Sequence, residues 1–265
     1  MTDRPIFDHV AIAVQRWSDG YAWFVQRFGG KWLRGGNAGA FSPAQFGYLG
    51  DMKVELLQPG DEPENFVERF LGRAGPGAHH LTFHVPDMDD FHRGCTALGL
   101  PMVPAFLDLP GRRELFVHPK TTGFGTLLQA IECGDDYAGT SPGPDDLPKS
   151  GEPHEVCWVA LRVPDMALAH SVFAGVLGGG VRDQGHVDGA AWALLEWPNS
   201  RRLLVYDSGM PAPSDVLTAA AGVEHVLFAP VGGPLPDPVT TLLCDHWTID
   251  PLIGLSVLEV SGARD

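Results

Sequence analysis

The chain repeats one short segment four times, and this repeat constrains its fold more than any other feature. Each copy alternates bulky residues with small or polar ones. The copies begin at residues 6, 77, 155 and 222, with the sequences IFDHVAIAV, GAHHLTFHV, EVCWVALRV and GVEHVLFAP. The second and third copies both run on into Val-Pro-Asp-Met. Such a long internal period indicates one supersecondary unit that is used several times.

The alternation within each copy predicts a β-strand with two unlike faces. In the first copy, Val10, Ile12 and Val14 form an aliphatic face that suits a covering helix. His9 and Ala11 lie on the opposite face, which is small or polar and suits a cavity.

The segments after each strand also repeat. A helix-like segment ending at glycine comes first, and short apolar segments between turn residues come next, so each unit has the order β-α-β-β-β. The fourth unit is shorter and its helix is difficult to locate. We therefore predict an α+β fold of four βαβββ modules in two paired halves, each half a curled mixed sheet around a cleft. A segment rich in proline, glycine and acidic residues separates the halves, which gives residues 1–134, a linker at 135–153, and residues 154–265.

Composition excludes several classes of function. The 265 residues carry a formal net charge of −15, which disfavours nucleic-acid binding. No apolar stretch approaches the length of a membrane span, and the first residues do not resemble a signal peptide. The four cysteines form no CxxC pair, which is typical of a reducing compartment. We expect a cytoplasmic monomer or homodimer that binds a small molecule, with no membrane or nucleic-acid partner.

The four units resemble the vicinal oxygen chelate superfamily, which includes glyoxalase I, methylmalonyl-CoA epimerase, extradiol dioxygenases and bleomycin-resistance proteins. The resemblance is closest to the epimerase and glyoxalase branch. It rests on DHVAIAV, KVELLQPG, GAHHLTFHV, and HPK with GTLLQ after it, all in the first half. It implies one divalent metal ion held by His9, Glu55, His80 and Gln129. Imidazole and carboxylate ligands suit Zn, Mn, Co, Ni or Fe.

Gln129 departs from the family pattern, because members of these branches commonly carry Glu there. Glu55 is then the only basic carboxylate of the four positions, and we expect it to be the catalytic base. A single base favours one-base proton transfer or lyase chemistry over two-base epimerisation.

Further residues on the same strand faces are expected to line the substrate pocket. They are His84, Thr82 and Ala11. Strict alternation places His79 on the opposite face from His80, away from the pocket.

The second half keeps the strand pattern but not the ligands. Trp158 stands at the position of His9, and leucine and valine surround the position of Glu55, so only His225 remains. We expect a structural partner, or an apolar cavity lined by Trp158 and Trp192.

The sequence leaves three functions open. The resemblance favours a metal-dependent isomerase or lyase that acts on a small substrate with adjacent oxygens through a metal-stabilised enolate. A non-catalytic binder of a drug or metabolite, as in bleomycin resistance, is the first alternative. An extradiol-type dioxygenase is the second, weakened because that branch takes its carboxylate from the position of Gln129.

Overall fold

The computed structural model describes residues 3–105, 111–133, 140–210, 221–243 and 249–260. The first half forms an open sheet of eight strands in the order β2-β3-β4-β1-β5-β8-β7-β6. Its strands are β1 (Ile6–Ala13), β2 (Lys31–Gly35), β3 (Phe41–Gly47), β4 (Lys53–Pro59), β5 (Gly77–His84), β6 (Met102–Ala105), β7 (Arg112–Val117) and β8 (Leu127–Cys133).

The second half forms a sheet of seven strands in the order β10-β11-β12-β9-β13-β15-β14. Its strands are β9 (His154–Val163), β10 (Gly180–Val187), β11 (Ala190–Trp197), β12 (Arg201–Asp207), β13 (Gly222–Pro230), β14 (Ile249–Asp250) and β15 (Leu255–Glu259). Both sheets mix parallel and antiparallel pairs. The predicted α+β class is therefore confirmed.

Six helical segments accompany these strands in the described residues. They are α1 (Ser18–Tyr21, continued by a π-helical turn over Ala22–Arg27), α2 (Phe66–Ala74), α3 (Met88–Ala97), α4 (Pro119–Thr122), α5 (Met166–His170, continued by a π-helical turn over Ser171–Val176) and α6 (Pro238–Leu242). The repeated Val-Pro-Asp-Met begins two of them, because the carboxylates of Asp87 and Asp165 accept backbone N–H groups at the starts of α3 and α5. Within the described residues, no helix is both long enough and apolar enough to cross a membrane.

The segment expected to be a linker runs along the first half. Its residues 135–139 lie outside the described residues, and residues 140–153 form no helix or strand. The Ser141 hydroxyl accepts the backbone N–H of Gly35, and the N–H of Gly151 donates to the carbonyl of Val25. These contacts hold the segment against α1 and β2.

The aliphatic faces of both sheets share one core. Phe228 of β13 stacks on Phe28 after α1, with ring centroids 4.2 Å apart, and Phe7 of β1 meets Trp197 of β11 at 5.7 Å. The opposite faces belong to separate clusters, one around Ala11 and one around Trp158. The two small-residue faces therefore point away from each other.

The strand registers relate the first two modules by a local two-fold axis. Across the antiparallel β1–β5 pair, His9 lies opposite Thr82 and Ala11 lies opposite His80. In the parallel pairs, Ala11 is beside Glu55 and Thr82 is beside Gln129. Glu55 and Gln129 therefore occupy equivalent places.

Two register shifts interrupt the β1–β5 pair, at Asp8 and at His79. Each of these residues directly precedes one of the two histidines, His9 and His80. A bulge inserts an unpaired residue and turns its side chain away from strict alternation. Both bulged residues are consequently able to reach the ring of the next histidine.

Candidate metal centre

Three of the predicted ligands converge at the middle of the first sheet. One atom each from His9, Glu55 and His80 lies within 4.8 Å of the others. Glu55 Oε1 is 3.8 Å from His9 Nε2 and 4.0 Å from His80 Nε2. All three side chains are buried. Two imidazoles and one carboxylate around a common point form a donor set for a first-row divalent cation.

The hydrogen bonding of this cluster fits a bound cation. His80 Nε2 is buried and has no hydrogen-bond partner among the described residues, which is costly unless another group satisfies it. Burial, together with the nearby rings of His79 and His9, lowers the pKa of His80 well below its ordinary value. His80 is therefore neutral, and a neutral imidazole is the form that binds a metal.

The contacts of Thr82 also fit a bound cation. Its Oγ1 lies 2.9 Å from His9 Nε2 and 2.5 Å from Gln129 Oε1. A hydroxyl has one proton to donate, so it satisfies only one of these acceptors at a time. A cation on His9 Nε2 leaves the Thr82 proton to Gln129.

Asp8 orients the first histidine. Its Oδ2 is 2.8 Å from His9 Nδ1, and its Oδ1 accepts from Lys53 Nζ at 2.6 Å. Burial opposes ionisation of Asp8, but the hydrogen bond from His9 and the charges of His9 and Lys53 outweigh it and hold the pKa well below its usual value. An ionised Asp8 accepts the Nδ1 proton, which leaves the Nε2 lone pair facing Glu55.

His79 holds the corresponding place beside the second histidine. Its Nδ1 is 2.9 Å from His80 Nδ1, and its ring packs against Phe66 and Phe70 of α2. Burial, with a smaller effect from Arg73, lowers the pKa of His79 to about 4. Strict alternation directs His79 away from this site, and the bulge in β5 is the reason the structure differs.

Gln129 lies beside the converging atoms and has partners of its own. Its Oε1 accepts from Thr82, and its Nε2 donates to Glu114 of β7. Glu114 is buried and also accepts from Arg112 Nη2 at 3.0 Å. Burial raises the pKa of Glu114, while Arg112 and Gln129 act in the opposite direction.

Glu114 is a site residue that the sequence did not predict. The available signal was a carboxylate within the apolar part of RRELFV, one strand away from Gln129. The first module has a similar pairing, in which Gln45 Nε2 donates to Glu55 Oε2 at 2.7 Å. Each module therefore pairs one buried carboxylate with one amide, and the two types exchange strands between modules.

The predicted pocket residues lie around this centre at different depths. Thr82 separates His9 from Gln129. His84 Nε2 is 3.7 Å from Asp8 Oδ2, and burial lowers the pKa of His84 to about 4 despite the opposing charge of Asp8. Ala11 is fully buried in the small apolar cluster formed with α2.

In the second half, three of the four equivalent positions are apolar, and the fourth is His225. Trp158 is fully buried at the place of His9, and its Nε1 donates to His225 Nε2 at 3.3 Å. By register, Leu204 and Leu258 stand where Glu55 and Gln129 stand. Trp192 joins the same apolar cluster. Within the described residues, this half presents no comparable set of metal ligands.

Most of the first half is similar to a known protein family. Residues 8–113 match the family model of the Glyoxalase/Bleomycin resistance/Dioxygenase superfamily. Residues 8–113 form a domain of this superfamily. The match includes His9, Glu55 and His80, whereas Glu114, Gln129 and the second half lie beyond it. The comparison with curated proteins found no match for this chain.

Two solved structures resemble this chain in fold over most of its length. A mutant of 4-hydroxymandelate synthase from Streptomyces coelicolor is 13% identical with a TM-score of 0.60, covering 86% of this chain and 71% of that one. A fusion of a xylose isomerase-like TIM barrel with 4-hydroxyphenylpyruvate dioxygenase is 18% identical with a TM-score of 0.55, covering 86% and 36%. Methylmalonyl-CoA epimerase from Mycobacterium tuberculosis is 25% identical over 50% of this chain and 90% of its own, with a TM-score of 0.44. At these identities the first two matches show the fold alone.

Proposed function

We propose that this protein is a divalent-metal-dependent enzyme of glyoxalase or epimerase type, an isomerase or lyase for a small substrate with two adjacent oxygens. The observation that carries the proposal is the convergence of His9 Nε2, His80 Nε2 and Glu55 Oε1 in a buried cluster. The lack of a hydrogen-bond partner at His80 Nε2 supports it.

His9, His80 and Glu55 would hold the ion, and Gln129 is proposed as a fourth ligand through its amide oxygen. The ion belongs to the group Zn, Mn, Co, Ni and Fe. When bound, such an ion polarises adjacent substrate oxygens and stabilises the negative charge left by removal of an α-proton.

We propose Glu55 as the group that receives this proton. Gln45 Nε2 donates to Glu55 Oε2 at 2.7 Å, and Arg34 Nε in turn donates to Gln45 Oε1 at 2.8 Å. These contacts fix the orientation of the carboxylate and leave Oε1 directed at the two histidines. The other buried carboxylate, Glu114, is engaged by Gln129 and Arg112, which favours a single base over two.

Metal analysis of the purified protein tests the first part of the proposal. We expect one divalent ion per chain in the wild-type protein and its loss in His9→Ala and His80→Ala. The matched control is His92→Ala, which removes an exposed histidine of α3 and should retain the ion. Wild-type protein without metal, or His80→Ala protein that keeps it, would contradict the metal centre.

Hydrogen exchange tests the second part. Incubation with 2-hydroxy acids in heavy water should incorporate deuterium at the α-carbon, because a proton taken by Glu55 is replaced from solvent. Glu55→Gln should abolish incorporation. Retained incorporation in Glu55→Gln would assign the base elsewhere, with Glu114 as the first candidate.

A second function has one specific observation in its favour. Two histidines and one carboxylate form the ligand set of non-haem iron oxygenases, and here Glu55 supplies the carboxylate that Gln129 lacks. Oxygen consumption by the Fe(II)-loaded protein on addition of a catechol would favour an extradiol-type dioxygenase. Deuterium incorporation without oxygen uptake would favour the isomerase or lyase.

A further inference from the structure

A second cavity lies between the two halves, where the turn from β3 to β4 meets the starts of β9 and β12. Its volume is about 480 Å³, which is in the range of small-molecule sites. Its lining includes three cationic side chains and one acidic one, namely Lys31, Lys53, Arg201 and Asp51, together with His154. The cavity is thus rich in positive charge although the chain as a whole is strongly acidic.

Two of the cationic side chains are supplied by the first half. Lys31 of β2 is exposed and makes no ion pair or side-chain hydrogen bond with any of the described residues. Lys53 of β4 donates to Asp8 at 2.6 Å and has two further ammonium protons. Both ammonium groups therefore have protons available for a ligand.

Arg201 comes from the second half and is almost fully buried. Its Nη1 contacts the carbonyl of Phe7 at 3.3 Å and lies 3.9 Å from Asp8 Oδ1, while its buried Nε has no partner in the part of the chain that the structure describes. Burial lowers the pKa of Arg201, against the opposing charges of Asp8 and Asp51. Arg201 therefore brings a positive charge to the wall of the cavity.

We propose that this cavity binds a small organic anion through a carboxylate or phosphate group recognised by Lys31, Lys53 and Arg201. The volume leaves room for a ligand larger than a bare phosphate. The site is separate from the candidate metal centre. It requires only that the two halves stay together, since Arg201 and the lysines come from different halves.

Isothermal titration with inorganic phosphate and with succinate tests the proposal and distinguishes the two anion types. We expect saturable binding of at least one of them at low ionic strength. Lys31→Gln should weaken that binding by about tenfold, because a charged hydrogen-bond donor is lost. Lys31→Arg should restore it, and Lys120→Gln, which removes an exposed charge on α4, should leave it unchanged.

The outcomes separate this site from the proposed function. His80→Ala should bind the anion as the wild type does, since it alters only the metal centre. Absence of saturable binding by both anions would overturn the anion site, as would equal weakening by Lys31→Gln and Lys120→Gln.

Discussion

Asp8 contacts several charged or titratable side chains near the candidate metal centre. It contacts His9, Lys53 and, at longer distance, His84 and Arg201. This position lets one carboxylate fix the ring of a ligand and also connect the metal centre to the basic cavity. Removal of the Asp8 carboxylate should weaken metal binding first, because the orientation of the His9 ring depends on it.

We expect Asp8→Asn to weaken divalent-metal binding by about 10- to 100-fold, since a neutral amide no longer holds the imidazole in the metal-binding tautomer. Competition with a chromophoric chelator measures the dissociation constant. Asp183→Asn on β10 is the matched control, because Asp183 is exposed and on the other sheet. Unchanged affinity in Asp8→Asn would show that the hydrogen bond to His9 does not orient the ligand.

The paired Glu114 and Gln129 lead to a prediction about pH. Gln129→Glu would set two buried carboxylates against each other and raise the pKa of the pair further. An acid whose pKa is raised by folding contributes stability at low pH and loses it as the pH rises. We therefore expect the free energy of unfolding of Gln129→Glu to fall by about 1–3 kcal/mol between pH 5 and pH 8, as measured by urea denaturation.

The double variant Glu114→Gln/Gln129→Glu is the control for this prediction. It restores one carboxylate and one amide, so its pH dependence should return towards that of the wild type. If the double variant were as sensitive to pH as Gln129→Glu, the pairing of one carboxylate with one amide would not determine the pH dependence of the free energy of unfolding.

At the scale of strands and helices, the sequence predicts regular alternation well and interruptions of it poorly. The four repeated strands and the convergence of His9, Glu55 and His80 agree with alternation and equivalent position. The bulges at Asp8 and His79 have no comparable signal, because an inserted residue looks like any other residue in the strand. The orienting partners of both histidines were therefore absent from the predicted site.

Helix α2 is a further feature that the repeat did not predict. The β-α-β-β-β order leaves no helix between β4 and β5, yet Phe66–Ala74 forms one and packs Val67 and Leu71 against Ala11. Its start is set by Asn65, whose side chain accepts the N–H of Glu68. This helix also supplies Phe66 and Phe70, which pack against His79.

We expect Asn65→Ala to lower the free energy of unfolding by about 1 kcal/mol, because the first turn of α2 loses its cap. Urea denaturation measures the change. Asn65→Asp keeps the accepting oxygen and should be less destabilising. An effect of Asn65→Asp as large as that of Asn65→Ala would assign the stability to the amide donor, which bonds the carbonyl of Glu62.

At the scale of the whole molecule, the two halves depend on one core. Phe228 of the second half is fully buried against Phe28 and Tyr48 of the first, with ring centroids 4.2 Å and 5.1 Å away. Trp197 likewise reaches Phe7 and Phe83. Because these contacts cross between the sheets, neither half buries its aliphatic face alone.

We expect Phe228→Ala to reduce the free energy of unfolding by about 3–5 kcal/mol. We also expect tryptophan fluorescence and circular dichroism to report one coincident transition, because both halves lose the same core. Val231→Ala is the control, since Val231 is half exposed. Two separate transitions in the wild type would contradict a shared core.

The opposed orientation of the two small-residue faces leaves each free to change without the other. Folding depends on the buried faces between the sheets. A tryptophan in place of His9, as at Trp158, or a leucine in place of Glu55, as at Leu204, changes a face that the association of the halves does not use. One copy of a duplicated architecture is in this way able to lack the ligand set while still supporting its neighbour. For an engineer, the same independence makes the apolar face around Trp158 a place to install new ligands at little risk to the first half.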